Sequence, residues 1–355
     1  MSLTIRPAPC EENPYAWDIS SDNATVFVEP YDELGNLSKI LLLNYTVTSL
    51  GGGILSFLML YLVLFKTSGA LKNYQNMLLI CCSTDLIYWA VDNFMWMKFK
   101  ETDGVFMIKM EGLAGHLGRP YRVFTMAFYV WIISFLNIML PVQFYYRYHS
   151  LTRNGFLSAS QTLALSFFSL ILTLPNFFLS YASYNSSPEE RPGFNYGTLW
   201  YQEYPMPNIL FGDVRSVYQK AYFFYGGAII SVSFIIALVI GYRTLQRIKQ
   251  MRDSYSDKTK RLQKQLSDFM IVQAMIPVCV CVIPVMSFVI PAFFYLDTGM
   301  MCVYSAIAVS WIPVLNPIIT IMVIIPFRRI VCGVFHKRVV VNTSYNRSTT
   351  DQVIP

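Results

Sequence analysis

Charge is what this chain has little of. Only 14% of its 355 residues are Asp, Glu, Lys or Arg, against 54% hydrophobic, and the mean hydropathy of +0.42 lies far from that of a water-soluble domain. Histidine occurs three times, at His116, His149 and His336, and none stands with a Ser or Cys in a context that would make a nucleophile. No glycine-rich loop is placed to cradle a phosphate, because Gly51, Gly52 and Gly53 fall inside an apolar run, where glycine serves close helix packing. The seven cysteines contain no CxxC pair and no His/Cys cluster, so neither a metal nor another cofactor is expected. Cys81, Cys82, Cys279 and Cys281 read as small apolar residues within spans, and only Cys10 and Cys302 are placed where a bridge outside the membrane is conceivable. An enzyme is disfavoured.

What is present is apolar length. Seven runs, each of about twenty residues or more, are long enough to cross a hydrocarbon layer of about 30 Å as helices. They extend from Ile40 to Phe65, Tyr74 to Met97, Tyr121 to Tyr146, Leu157 to Ala182, Val217 to Tyr242, Leu266 to Phe294 and Met301 to Ile325. Pro175, Pro277, Pro284 and Pro291 predict kinks in the fourth and sixth. A β-barrel would need strands of about ten residues with alternating polarity, which these runs lack. The expected fold is an all-α membrane bundle of seven helices.

Cations set its orientation. With the N-terminus outside, the inner segments hold 17 basic residues against three acidic ones, while most acids, among them Glu11, Glu12, Asp18 and Asp22, lie outside. Residues 1–38 then form an outer segment, 39–325 the helical domain, and 326–355 a cytoplasmic tail with a short juxtamembrane helix. No basic stretch followed by an apolar one marks a cleavable signal peptide at the start. Sequons at Asn23, Asn36 and Asn185 fall on the outer side, the last in the loop expected after the fourth span, and Cys332 just past the seventh span is a candidate for palmitoylation or an unmodified thiol. The +6 net charge reads as this topological signal and as affinity for anionic inner-leaflet lipid, not as a nucleic-acid surface.

Function is therefore expected at the two ends of the bundle. At the inner end the third span emerges at Tyr146, Arg147 and Tyr148; an arginine there suits the negative helix terminus and the lipid, and it equally suits a signalling contact. The run holding Lys258, Lys260, Arg261 and Lys264, with Leu262 and Leu266, suits a helical extension of the sixth span that docks a protein or lies on lipid. Charged groups among the spans default to function. Asp85 and Asp92 are seven residues apart and share a face. Asp85 suits a cation or an interhelical donor, and Asp92 a ligand, water or Arg122. Toward the outer halves of the spans, Phe128, Tyr129, Trp131, Tyr222, Tyr225, Phe288 and Trp311 are pocket candidates, each also explicable as ordinary packing. The Tyr-, Pro- and Asn-rich second outer loop is placed to cover the entrance.

The segments "PVQFYYRYHSLTR", "DKTKRLQKQLSDFMIVQAMIP" at 257–277 and "PVLNPIITIMVIIPFRRIV" at 313–331 resemble nematode serpentine chemoreceptors of the Str superfamily, most nearly serpentine receptor class delta. The likeness runs from about Leu37 to Val331. It implies a receptor in the ciliary membrane of a sensory neuron that binds a small odorant or pheromone and signals through a heterotrimeric G protein, with Arg147, Arg328 and the 260–264 cations at the coupling surface. Asn316-Pro317 resembles the Asn-Pro of rhodopsin-like receptors and with Asp85 would form a helix switch. Thr320 stands where those receptors carry tyrosine, Tyr146 where they often carry aspartate, and the top of the third span has no cysteine. Two other classes remain: a small-solute transporter, against which the lack of paired Gly/Pro-interrupted half-spans argues, and a ligand-gated channel, which would place the N-terminus inside.

Overall fold

The computed structural model describes residues 36–67, 69–153, 155–200, 208–250, 275 and 277–333. Eight α-helices and one small sheet make up the described fold: α1 (Asn36–Phe65), α2 (Gln75–Met95), β1 (Met97–Thr102), β2 (Val105–Met110), α3 (Arg119–Thr152), α4 (Ala159–Glu190), β3 (Ile209–Asp213), α5 (Val217–Gln250), α6 (Ile283–Phe293), α7 (Met301–Ser310) and α8 (Ile312–Val323). A π-helical turn, Val278–Val282, leads into α6, and residues 325–333 are again helical.

The helices are inside-out compared with those of a soluble protein. On α4 the buried positions include Thr162, Ser166, Ser169, Thr173, Asn176, Ser180, Ser183 and Ser187, a seam of small polar residues three or four apart. Leu163, Phe167 and Phe168 point outward, Phe167 at 63% exposure. In water that arrangement would expose a long apolar stripe; in lipid, where tails are as apolar as Leu, small residues at the seam let backbones approach and the outward apolar face is solvated. The seam hydroxyls are satisfied locally, as Ser166 and Thr173 donate to the carbonyls of Thr162 and Ser169. A capping box starts α4: Gln161 N donates to Ser158 Oγ and Ser158 N to Gln161 Oε1, at 3.2 and 3.0 Å.

Helices α1 to α5 are each long and apolar enough to cross a membrane, and α7 with α8 passes as one span bent by 42°. The bend falls at Trp311, two residues before Pro313, whose missing N–H and ring interrupt the helical ladder. Of the expected sixth span, Leu266 to Phe294, the structure describes Met275 and the part from Pro277 onward; the rest of its first half lies outside the described residues. Helix α3, at 34 residues, runs past the expected exit at Tyr146 to Thr152, so Arg147, Tyr148 and His149 are helical. It is the central helix, packed on α2, α4 and α5.

The sheet closes one end of the bundle, here called the lid end. Its order is β1-β2-β3, antiparallel throughout, with Phe99 opposite Ile108, Glu101 opposite Phe106 and Phe106 opposite Gly212. The β1–β2 turn is two residues, Asp103 and Gly104, both at positive φ (54° and 71°), the geometry that matches strand twist in a hairpin. A Cβ at Gly104 would sit 2.7 Å from Val214 Cγ1. Alternation along the strands divides the sheet between two cores. Phe99, Phe106, Ile108 and Leu210 join the main core with α3, α5, α6 and α7, while Val105, Met107, Ile209 and Phe211 pack on Tyr196 and Trp200.

Candidate functional site

Directly beneath the sheet lies a partly open cavity of about 80 Å³. Phe99 and Phe106 of the hairpin form its roof; its walls come from α3 (Tyr129, Val130), α5 (Tyr222, Phe223), α6 (Phe288, Val289) and α7 (Ser305, Val309), with Asn176 reaching in from α4. The lining is dominated by aromatic and branched side chains with a few polar groups, the composition that takes a small, mostly apolar molecule.

Of the eight pocket candidates, Tyr129, Tyr222 and Phe288 line this cavity. The other five are drawn elsewhere, four of them by bonds or packing that sequence spacing does not reveal. Trp131 turns to α4, its Nε1 donating to Thr173 Oγ1 and Leu170 O at 3.1 and 3.2 Å, and Phe128 packs edge-on against it. Tyr225 donates to Leu172 O at 2.7 Å, also on α4. Trp311 turns to α1, where Nε1 reaches Asn44 Oδ1 at 2.9 Å. Asp92 is buried on α2 and is not among the lining residues. Arg122 donates through Nε to Leu117 O.

The roof itself was not foreseen. The entrance was assigned to the second outer loop, whereas β1 and β2 come from the segment between the second and third spans. The signal was in "MKFKETDGVFMIKM": a run of alternating polarity and a short apolar run either side of Asp-Gly, a hairpin signature between two long helices. Residues 201–207 of the second loop lie outside the described residues, and its β3 completes the sheet.

Ion pairs fasten the lid. Asp213, with its side chain fully buried, accepts from Arg215 Nη1 at 3.3 Å and the Tyr196 hydroxyl at 3.1 Å, and forms an ion pair with Arg191, whose Nε lies 3.1 Å away. The same two arginines reach Asp103 in the hairpin turn at 3.0 and 3.2 Å. The end of α4, the hairpin turn and β3 are thereby tied into one unit. Burial raises the Asp213 carboxyl to about 6, against the opposing pull of Arg191. Lys98 and Lys109 converge on Glu111 at 2.7 and 3.0 Å.

Glu101 contrasts with these pairs. It is 0% exposed and neither carboxyl oxygen has a hydrogen-bond partner among the described residues, while Thr298 donates its N–H and hydroxyl to the Glu101 backbone carbonyl. Burial pushes its pKa up to about 8; the neighbouring Thr298 opposes the rise and Asp297 adds to it.

At the other end of the bundle, Tyr146 is buried against Tyr74 and Phe156, and Arg147 and Tyr148 are half-buried on the last turns of α3. Arg328, on helix 325–333, donates to Met322 O. Lys260, Arg261 and Lys264 lie outside the described residues. Between the two ends, Asn316 Nδ2 donates to Asp85 Oδ1 at 2.9 Å, so the two polar members of the expected switch are brought together, with Pro317 next in α8; Thr320 caps the Asn316 carbonyl.

Asn185 is not in a loop. It sits within α4, which extends to Glu190, and Ser187 of its sequon is fully buried with its hydroxyl donated to Ser183 O and accepting from Asp213 N. Asn36 begins α1, and Asn23 lies outside the described residues. Cys302 is a buried free thiol and Cys332 an exposed one.

Long helices with apolar outer faces around a cavity beneath the sheet define a multi-span membrane bundle. The chain superposes on squid rhodopsin with a TM-score of 0.54 at 11% identity, covering 96% of this chain and 99% of that one, a likeness of fold. Residues 41–333 match the serpentine type 7TM GPCR chemoreceptor Srd family, and the chain belongs to it. It is also similar to serpentine receptor class r-10 of Caenorhabditis briggsae (30% identity over 139 residues) and of Caenorhabditis elegans (29% over 126). Those matches cover 39% and 34% of this chain and only 40% and 37% of the two relatives.

Proposed function

We propose that this chain is a chemosensory receptor of the plasma membrane, in the cilium of a sensory neuron, that binds a small, largely apolar odorant or pheromone in the cavity beneath the sheet and signals to a heterotrimeric G protein at the opposite end. The observation that carries this reading is the position of Phe288: it lines the cavity, stacks on the roof residue Phe106, and belongs to α6, which enters through a π-helical turn between Pro277 and Pro284. A ligand that alters packing at Phe288 acts on a helix with a built-in irregularity, and π-helical turns and proline kinks are where helices bend. In a bundle that switches between two packings, such a bend converts a contact at one end into a displacement at the other.

The lid end faces outward in this reading, in keeping with the cation asymmetry, and Arg147, Tyr146, Tyr148 and Arg328 face the cytoplasm with the 260–264 cations. Asn23 is then accessible to glycosylation and Cys332 to palmitoylation. The test is expression in cells with a promiscuous G protein under a calcium reporter, challenged with volatiles and secreted nematode metabolites. Arg147→Ala is expected to abolish responses while surface expression persists; unchanged responses would remove the coupling role. An epitope tag at residue 1 should be reached by antibody on intact cells, and detection only after permeabilisation would reverse the topology.

A further inference from the structure

The cavity wall carries one buried acceptor that no described residue satisfies. Asn176 on α4 is 2% exposed and lines the cavity, and its Oδ1 has no hydrogen-bond partner among the described residues. Which end of the amide is the oxygen follows from its neighbour. Ser134 on α3 spends its hydroxyl hydrogen on Val130 O at 2.7 Å, so toward Asn176, 2.7 Å away, it can only accept. The Nδ2 group therefore faces Ser134, and Oδ1 is held in the other direction. Three other polar side chains of the wall are bonded within the protein, and the Tyr222 hydroxyl neighbours that of Tyr184. The Tyr129 hydroxyl shares a hydrogen bond with Tyr88 at 3.0 Å, Ser305 donates to Met301 O at 2.8 Å, and Cys281 accepts from Asn137.

Space beside the amide is preserved as well. Gly226 of α5 faces Asn176, and a Cβ there would lie 3.3 Å from Nδ2, tighter than about nine in ten such contacts, and 3.4 Å from Oδ1. An acceptor buried without a partner carries a penalty that a donor from a ligand would cancel. A ligand with only acceptors would leave that penalty in place, and its own oxygen would meet another.

Resting on the reading of this cavity as the ligand site, we propose that Asn176 Oδ1 accepts a hydrogen bond from a hydroxyl group of the ligand, so that the receptor selects small apolar alcohols or phenols over ethers of the same size. Specificity of this kind comes from a buried polar group that only the right ligand pairs.

Isomeric pairs isolate the donor from size and hydrophobicity: 1-octanol against 1-methoxyheptane, and 2-phenylethanol against benzyl methyl ether. The purified full chain in lipid nanodiscs is titrated with each, and half-maximal thermal stabilisation is read. Wild type should bind the alcohols about tenfold more tightly than their ethers, the factor a single well-placed hydrogen bond supplies. Asn176→Leu should erase the preference by weakening alcohol binding about tenfold while leaving the ethers unchanged, and Gly226→Ala, which crowds the amide, should shift it the same way. Equal binding of alcohol and ether by wild type, or a preference that survives in Asn176→Leu, overturns the acceptor role and leaves the cavity reading standing. Binding of neither member of either pair overturns the cavity as a site for small apolar ligands, and this inference with it. The wild-type comparison decides even if a variant fails to fold.

Discussion

The ring of Phe106, near the tip of the lid hairpin, lies on the ring of Phe288 of α6, with centroids 4.9 Å apart and planes 11° from parallel. Phe99 of β1 and Phe223 of α5 flank the pair at 6.5 Å from Phe288 and 6.2 Å from Phe106, so roof and wall form one aromatic cluster. Removing the Phe106 ring takes away stacking and buried area together, about 3 kcal/mol for a core Phe→Ala change. Phe106→Ala is expected to lower the melting temperature of the purified receptor and to speed ligand release, because the roof of the cavity opens. Stopped-flow dissociation of any bound agonist checks this, and an unchanged off-rate would mean that the roof does not retain ligand.

Arg191 and Asp213 make the most buried ion pair of the lid. Arg191→Ala leaves a fully buried carboxyl with Arg215 and Tyr196 as remaining partners and breaks the link from α4 to the hairpin turn. The cost should be about 2 kcal/mol, below the 3–5 typical when a buried charge loses its sole partner. Asp213→Asn should be milder, since the amide oxygen still accepts from Tyr196 while both arginines keep Asp103. Thermal melts of the two variants rank them, and the reverse order would contradict the pairing described.

Glu101 makes lid stability depend on pH. Its carboxyl is raised from the ordinary 4.5 to about 8 by burial, so the folded lid holds the proton more tightly than the unfolded chain does. Below pH 4.5 the acid is neutral in both states and costs nothing. Stability then falls as pH rises through the window from 4.5 to about 8, and levels off where the carboxylate is charged in both. Asp297, Thr298 and Cys302 are its neighbours, and none supplies a cation. Melting temperatures between pH 5.5 and 8.5 should decline for wild type and decline less for Glu101→Gln; parallel curves would exclude Glu101 as the cause.

These relationships differ in how far the sequence reveals them. The spans were legible because a bilayer allows only helices whose side chains stay apolar for some twenty residues, and the runs beginning at Ile40 and Val217 match α1 and α5 closely. Their ends were not, since lipid sets no boundary on a helix that continues into water, as α3 does to Thr152 and α5 to Gln250. Tyr129, Tyr222 and Phe288 were legible as aromatics in the lid-side halves of their spans. Trp131, Tyr225 and Trp311 satisfied the same criterion and face other helices, because hydropathy fixes the depth of a residue but not the rotation of its helix. Asn176 escaped notice as one polar residue in a seam of serines and threonines; its orphan oxygen exists only once Ser134 is placed beside it.

Asp85 and Asn316 join α2 to the bent last span by a 2.9 Å hydrogen bond in the interior of the bundle. Thr320 donates to the Asn316 carbonyl within α8, apart from that contact. Asn316→Ala therefore strips the half-buried acid of its donor without disturbing that helical bond, and should cost about 1–2 kcal/mol in thermal stability. Asp85→Asn keeps an oxygen for the Asn316 amide and removes the acid, so it should cost less. If this contact also holds the resting packing of the bundle, Asn316→Ala raises basal signalling in the calcium assay, while Asp85→Asn leaves it near the wild-type level. Equal basal activity in wild type and Asn316→Ala, alongside a clear loss of melting temperature, would assign the bond to stability alone and separate it from the switch.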